Sequence, residues 1–313
     1  MIVQAGLRWL ARFAILITII LGILLWMFAN ARAMPLVRTA EVVLPWPDSS
    51  STRPLKLALL TDEHLSGPDN DPDRMARIVD LINAQKPDLI MLGGDFEGDD
   101  KGSKTYGPEE TVAPFSRLRA PMGVIAVPGN HDWGWYGDID FTPLHRALDR
   151  LGITVLQNEA VRRGPLVIGG LDYGGRGWPN VEGTAEKMRA LGGAPVMMGH
   201  SPEVFPKVPE DITLMLAGHV HCGQIALPLR GPIHVQTAAA RRYNCGRYHE
   251  RERTLIVSAG VGTSTFPLRA FAPPDIWVVT VRPPDPALRH WPMRQCGAKP
   301  GDFQPCGTSP RAA

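Results

Sequence analysis

The sequence predicts a layered α/β domain behind an N-terminal apolar helix, and three observations carry that reading. Short apolar runs alternate with amphipathic segments of helical length. Five of those runs end in a small polar motif containing Asp, Asn or His, most with a Gly alongside. A charge-free stretch, residues 13–29 (FAILITIILGILLWMFA), precedes all of them.

That stretch exceeds the ~7–15 residues of a secretory leader's core and sits at the short end of the ~17–25 of a spanning helix. Trp9 and Trp26 flank it, as interfacial anchors do. Arg8 and Arg12 ahead of it favour a cytoplasmic N-terminus, which puts the chain beyond Ala33 outside the cytoplasm; Arg32 and Arg38 on the far side oppose this. Ala31-Arg32-Ala33 has the small-x-small form of a cleavage site. Residues 1–33 are therefore an anchor in the inner (cytoplasmic) membrane or a removable signal segment, and the length favours the anchor. Residues 34–54 read as a linker because 45–54 (PWPDSSSTRP) is polar and bounded by Pro.

The globular domain is expected at 55–282. Strands are expected at 55–60, 89–92, 124–127, 166–171, 196–198, 212–216, 255–258 and 276–281. Asp71-Pro72 opens a helix, with Asp as the cap and Pro at the first position. Met75, Ile78, Val79 and Ile82 give that helix one apolar face. Further helices are expected over 143–151 and 184–191. From 283 the composition turns to Pro and Gly, and 283–313 reads as an extended tail.

Composition excludes some functions. The 33 basic and 31 acidic residues leave a net charge of +2, so no basic field points to a nucleic-acid partner. None of the four Cys forms a Cys-x-x-Cys pair, which argues against a zinc ribbon or a thioredoxin motif. Cys296 and Cys306 lie close enough in sequence to pair in an oxidising compartment.

The chemistry lies in Asp62-Glu63-His64, Gly94-Asp95, Gly129-Asn130-His131-Asp132, Gly199-His200 and Gly218-His219-Val220-His221. In α/β sheets ligands bind beyond the carboxyl ends of the strands. Side chains at i and i+2 of an extended segment point the same way, so Asp62 with His64, and His219 with His221, can each serve one place. The candidate metal ligands are Asp62, His64, Asp95, Asn130, His200, His219 and His221. Mixed carboxylate, amide and imidazole donors suit Mn, Fe, Zn or Mg. Seven donors exceed one four-coordinate zinc and fit two divalent ions sharing a carboxylate. Taken singly, each motif can be a solvated turn or a hydrogen-bonded core His; their ordered recurrence at strand ends argues against that.

Gly218-His219-Val220-His221-Cys222-Gly223-Gln224 is similar to the Gly-His-Thr-His-Gly-Gly-Gln block of the calcineurin-like metallophosphoesterase superfamily, in its bacterial membrane-associated branch. Gly260-Val261-Gly262-Thr263-Ser264, with Pro267-Leu268-Arg269 after it, resembles that branch's closing motif. The resemblance spans about residues 55–282. It implies a β-sandwich flanked by helices and a dinuclear centre: Asp62, His64 and His221 on one ion, Asn130, His200 and His219 on the other, Asp95 bridging. His131 would stand near the leaving group without ligating, with Asp132 orienting it.

Two positions depart from the family pattern. Glu63 replaces an apolar residue, and Cys222 replaces Gly, which would set a thiol beside the metals. Arg241, Arg242 and Arg269 are candidates for holding a substrate phosphate, with solvated surface charge as the alternative. The implied activity is hydrolysis of a phosphomonoester, a phosphodiester or a lipid-linked pyrophosphate. A non-catalytic metal-binding scaffold of the same fold is the alternative; it would be expected to have lost ligands, and all seven positions hold competent side chains. A metal-dependent peptidase would be expected to carry His-Glu-x-x-His, which is absent.

Overall fold

The computed structural model describes residues 2–46, 53–134, 139–173, 178–235 and 237–284. Helix α1 (Ile2–Arg32) leads into strands β1 (Leu36–Val43), β2 (Leu55–Leu60), β3 (Leu89–Leu92), β4 (Val124–Ala126), β5 (Thr154–Val155), β6 (Glu159–Arg163) and β7 (Leu166–Gly170). Next come β8 (Ala194–Met198), β9 (Leu214–Ala217), β10 (Ala226–Leu227), β11 (Gly231–Pro232), β12 (Gly246–Glu250), β13 (Arg253–Val257) and β14 (Asp275–Arg282). The remaining helices are α2 (Pro72–Ala84), α3 (Pro108–Val112), α4 (Thr142–Arg150), α5 (Val181–Leu191) and α6 (Ala238–Arg242).

Two six-stranded sheets face each other, ordered β1-β14-β2-β3-β4-β5 and β12-β13-β9-β8-β7-β6. The central strands β2, β3 and β4 run parallel, as do β7, β8 and β9. Alternate side chains explain the layers. Leu57, Leu59, Leu89 and Met91 meet Ile168, Val196, Leu214 and Leu216 between the sheets. Ala58, Leu60, Ile90 and Leu92 point the other way, onto Met75, Ile78 and Ile82 of α2 and Leu144 and Leu148 of α4. Val167, Met197 and Met215 likewise meet Ala185 and Met188 of α5. Strands covered on both faces form unbroken apolar runs, which makes them legible in the sequence. The architecture is the expected sandwich flanked by helices.

The structure differs from the sequence reading at residues 34–54. They hold β1, paired in parallel with β14 from Leu36↔Asp275 to Val43↔Arg282. β1 lies at the sheet edge, so Arg38 and Glu41 are tolerated and its pattern resembles a linker. Ala40, Val42, Leu44 and Trp46 are nonetheless buried between the sheets. The expected tail and its Cys296 and Cys306 lie outside the described residues.

Within α1, residues Gly6–Arg32 contain an 18-residue window of mean hydropathy 2.4 and are long and apolar enough to cross a membrane. At about 1.5 Å per residue they outreach a hydrocarbon core of about 30 Å. The C-terminal end of α1 is docked on the domain. Asp71 caps α2 by accepting from the Arg74 amide at 2.7 Å. The Arg74 side chain, fully buried, donates to the carbonyls of Arg32 (3.1 Å), Ala33 (2.7 Å) and Val261 (3.0 Å) and to Asn70 Oδ1 (2.8 Å). The Arg269 amide donates to the Met27 carbonyl at 3.0 Å, and the rings of Trp26 and Phe271 lie 5.3 Å apart. Burial lowers the Arg74 pKa to about 10, which leaves it cationic at neutral pH.

Arg74→Ala strands four acceptors, two of them buried and two partly buried. It is expected to cost about 2–4 kcal/mol, read as a lowered thermal unfolding midpoint in detergent. Arg77→Ala, on the exposed face of the same helix, is expected to stay within about 0.5 kcal/mol. Equal effects of the two would remove Arg74 from the account of how α1 is held.

Candidate metal centre

Each candidate ligand lies just beyond a central strand: Asp62 and His64 after β2, Asp95 after β3, Asn130 after β4, His200 after β8, His219 and His221 after β9. Because these strands are parallel within each sheet, both sheets deliver their loops to one edge. Asp62 and His64 do converge on one group of donors, whereas His219 and His221 part between two groups, and neither pair lies on the extended backbone expected for i, i+2 pairs. Asp62 (φ 53°), His64 (φ 41°), Asp95 (φ 62°), His219 (φ 73°) and His221 (φ 50°) all take left-handed backbone. Such conformations cost roughly 1–3 kcal/mol each for non-glycine residues and persist where the surroundings impose them. Close approach makes this possible: a Cβ on Gly218 would collide with the Asp62 carboxylate, and one on Gly94 with the backbone of Gly129.

Two groups of donors result. In one, His64 Nε2 lies 3.2 Å from His221 Nε2, and His221 Nε2 lies 3.4 Å from Asp62 Oδ1. In the other, His200 Nε2 lies 3.1 Å from both His219 Nδ1 and Asn130 Oδ1. Asp95 Oδ2 touches both groups, 3.4 Å from His64 Nε2 and 3.2 Å from His200 Nε2. Six of these seven side chains are buried, and Asn130 is half-buried.

The donor chemistry fits divalent metal. Burial above all holds the imidazoles of His64 and His221 well below their usual range, and the neighbouring His131 cation adds to it at His64. Both are neutral, and their facing nitrogens need a cation rather than a proton. His64 Nδ1 is buried with no hydrogen-bond partner among the described residues. His200 Nδ1–H donates to the Gly93 carbonyl at 2.8 Å, which turns its Nε2 lone pair into the site. Burial opposes the His200 cation, but Asp95 lifts its pKa to about 9, so an arriving ion displaces a proton there.

His131 lies against the centre, its ring 4.6 Å from that of His64 and its amide donating to Asp95 Oδ1 at 2.8 Å. The expected orienting partner is Asp132. The structure places Asp99 there instead, its Oδ1 2.9 Å from His131 Nδ1. Asp132 accepts from the amides of Asp95 (2.9 Å), Phe96 (2.8 Å), Glu97 (3.4 Å) and Gly129 (2.8 Å), tying the β3 and β4 loops together. Asp99 escapes sequence reasoning because it belongs to an exposed-looking run, Glu97-Gly98-Asp99-Asp100. Only its place four residues after Asp95 hints at the site.

Three further sequence readings change. Arg269 does not face substrate: it is fully buried and donates to the carbonyls of Ala259 (2.8 Å), Gly260 (3.2 Å), Gly262 (2.6 Å) and Ala272 (2.9 Å). Arg242 pairs with Glu250 at 2.6 Å on the surface, and Arg241 is exposed. Cys222 carries no free thiol, since it forms a disulfide with Cys245. The bond ties the loop of His219 and His221 to the segment after α6. Sequence separation misleads here: the pair is 23 residues apart, and four Cys allow three pairings. Cys222 takes the left-handed backbone (φ 54°) that Gly would favour. Glu63 is fully buried behind the ligands, where burial pushes its carboxyl well above the usual range.

A cavity of about 460 Å³ opens over His219 and His221. Its walls include Val220, Ile225, Ile233, Val235 and Phe266, and His234 also lines it. Tyr173 covers the other side, its ring 5.3 Å from His200 and 5.4 Å from His219.

The Asp99 contact makes a testable statement. Burial works against the His131 cation, but the Asp95 charge and the Asp99 hydrogen bond raise its pKa to about 9. The imidazolium is therefore present at neutral pH and lost as pH rises through that value. Asp99→Asn is expected to move the His131 titration toward neutral, monitored by ring-proton NMR, with metal content unchanged. A titration that stays put would show that Asp99 does not support the cation.

Residues 55–223 match the family model of the calcineurin-like phosphoesterases. The chain is 32% identical over 236 residues to the uncharacterized metallophosphoesterase YkuE of Bacillus subtilis, covering 72% of this chain and 79% of that one. It is 26% identical to a transmembrane protein with metallophosphoesterase domain of Danio rerio, covering 86% of this chain and 62% of that protein. The structure of Haemophilus influenzae NAD nucleotidase aligns with a TM-score of 0.43 at 13% identity, over 67% of this chain and 46% of that chain. The chain belongs to the calcineurin-like phosphoesterases, metal-dependent hydrolases of phosphoric esters.

Proposed function

We propose that this chain is a dinuclear phosphoesterase of the membrane, acting on a phosphoester or pyrophosphate linked to a lipid. The observation that carries the two-ion reading is Asp95 Oδ2, within 3.4 Å of one donor group and 3.2 Å of the other. Asp62, His64 and His221 would hold one ion, Asn130, His200 and His219 the second, with Asp95 common to both. The donors suit Mn, Fe, Zn or Mg. Two such ions supply a nucleophile at neutral pH and offset the charge that develops on the phosphoryl oxygens.

The protein groups do the rest. His131, held at Nδ1 by Asp99, would be the group that gives a proton to a departing oxygen. Asp132 keeps the Asp95 and Gly129 loops in register by accepting their amides. Tyr173 and the buried walls keep bulk water from the His200 side. The apolar walls of the cavity over His219 and His221 favour an ester that carries an apolar portion.

The topology reading places the N-terminus in the cytoplasm and the catalytic domain outside it, at the inner membrane. Arg8 and Arg12 ahead of the apolar stretch support it. The Cys222–Cys245 disulfide supports it independently, because such bonds persist in oxidising compartments.

Elemental analysis of protein purified without chelator is expected to approach two ions per chain. Asp95→Ala is expected to lose most of that metal and more than about 10²-fold in rate. A variant that keeps both ions and full rate would exclude Asp95 as the shared ligand. His131→Ala is expected to keep its metals and lose about 10²–10⁴-fold on a substrate with an alkoxide leaving group. On a nitrophenyl ester, whose leaving group needs little protonation, the loss is expected to be small. Equal slowing of both would make His131 a positioning group.

A further inference from the structure

We infer that the β10–β11 hairpin forms a second membrane contact beyond α1, which sets the mouth of the metal centre against the lipid surface. The inference rests on α1 lying in a bilayer. Its own evidence is a continuous apolar rim. Leu229 at the hairpin tip is 107% exposed, and Ile233 (61%), Phe266 (62%) and Phe271 (59%) stand out beside it.

Backbone bonds make these one surface. The end of α1 meets Phe271 through Trp26. The neighbouring Ala270 carbonyl accepts from the Ala226 amide at 2.8 Å, which joins this strand to the hairpin. Across the hairpin the Ile233 amide donates to the Ile225 carbonyl at 3.0 Å, and Gln224 Nε2 reaches the Phe266 carbonyl at 2.9 Å. These bonds link the end of the spanning helix, the hairpin and the cavity wall into one hydrogen-bonded edge.

Three features favour lipid over water or protein as the occupant. The rim continues directly from a helix whose apolar side chains are themselves exposed along its length. Segments 224–235 and 264–273 contain no acidic residue, and Arg230 at the tip matches headgroup phosphates. Leu229 adopts left-handed backbone (φ 66°), where Gly or Asn would be ordinary, so a large apolar side chain is placed outward at a conformational cost. Ile233 and Phe266 also wall the cavity over His219 and His221, so a molecule resident in the bilayer reaches the metals without crossing water.

The test uses the full chain in vesicles of phosphatidylcholine and phosphatidylglycerol, in a Cys296→Ser, Cys306→Ser background that leaves the Cys222–Cys245 bond in place. Single spin labels go at Leu229→Cys, at Leu16→Cys in α1 and at Leu191→Cys on α5. Power saturation compares accessibility to oxygen and to a nickel chelate, and metal content of each sample confirms the fold. The oxygen-to-nickel ratio is expected to be several-fold higher at 229 than at 191, approaching that at 16. A label at 229 that matches 191 while 16 stays in lipid overturns the hairpin contact and leaves the anchor and the catalytic reading standing. Shielding of 229 from both reagents overturns it as well, because a protein surface would then cover the tip. A nickel-accessible label at 16 overturns the anchor together with the contact.

Discussion

Everything in this site turns on one buried carboxylate that has to be negative. Asp95 sits on left-handed backbone, with its amide bonded to Asp132, its carbonyl accepting from the His64 amide, and its Oδ1 accepting from the His131 amide. Burial opposes its charge, yet the imidazoles of His200 and His131 hold the carboxyl well below the usual range. Its free oxygen then faces His64 from one loop and His200 from the other sheet. The sandwich is the scaffold that makes this possible, because only facing sheets bring donors from β2, β3, β8 and β9 within ligand distance of one oxygen. Gly129 is the matching concession in the backbone: a Cβ there would occupy the space of the Asp95 carboxylate.

Around that charge the protein uses arginines as collectors of carbonyl groups. Arg269 gathers four backbone oxygens from residues 259–272, and a nitrogen of its guanidinium lies 3.4 Å from His221 Nδ1. Burial lowers its pKa to about 10, which still leaves a cation. The closing motif Gly260 to Arg269 is thus a folded pad beneath a ligand, and its positive charge is directed at backbone. A guanidinium presents several donors in a fixed plane, which suits it to fastening irregular chain in a protein interior.

The layout of strands and candidate donors was readable because both rest on short-range chemistry. A strand covered on both faces has to be apolar, and a ligand has to be Asp, Asn or His at the strand's end. Asp62, Asp95, Asn130, His200 and His219 could be placed with no knowledge of packing. What escaped depends on partners distant in the chain. β1 is recognisable only beside β14, more than 230 residues later. Asp99 matters only because the loop after β4 folds over it. Cys222 pairs by proximity in space, and Arg269 points inward because the carbonyls it meets are there. The helical start at Asp71-Pro72 was legible for the opposite reason, since capping is settled within one turn.

The four acceptors of Arg74 bear on how the chain matures. Two of them, the carbonyls of Arg32 and Ala33, belong to the stretch Ala31-Arg32-Ala33 that has the form of a leader-peptidase site. A cut after Ala33 would carry both away, together with the Met27 carbonyl that accepts from Arg269, and leave a buried guanidinium half-solvated by protein. Ala31 is itself fully buried, while Arg32 and Met34 on either side of Ala33 are exposed, so the bonds made by this stretch hold it to the domain more than burial does. The end of the apolar helix is thus fastened to the domain by bonds that a cut after Ala33 would break, so clipping would cost the folded chain part of its own hydrogen bonding.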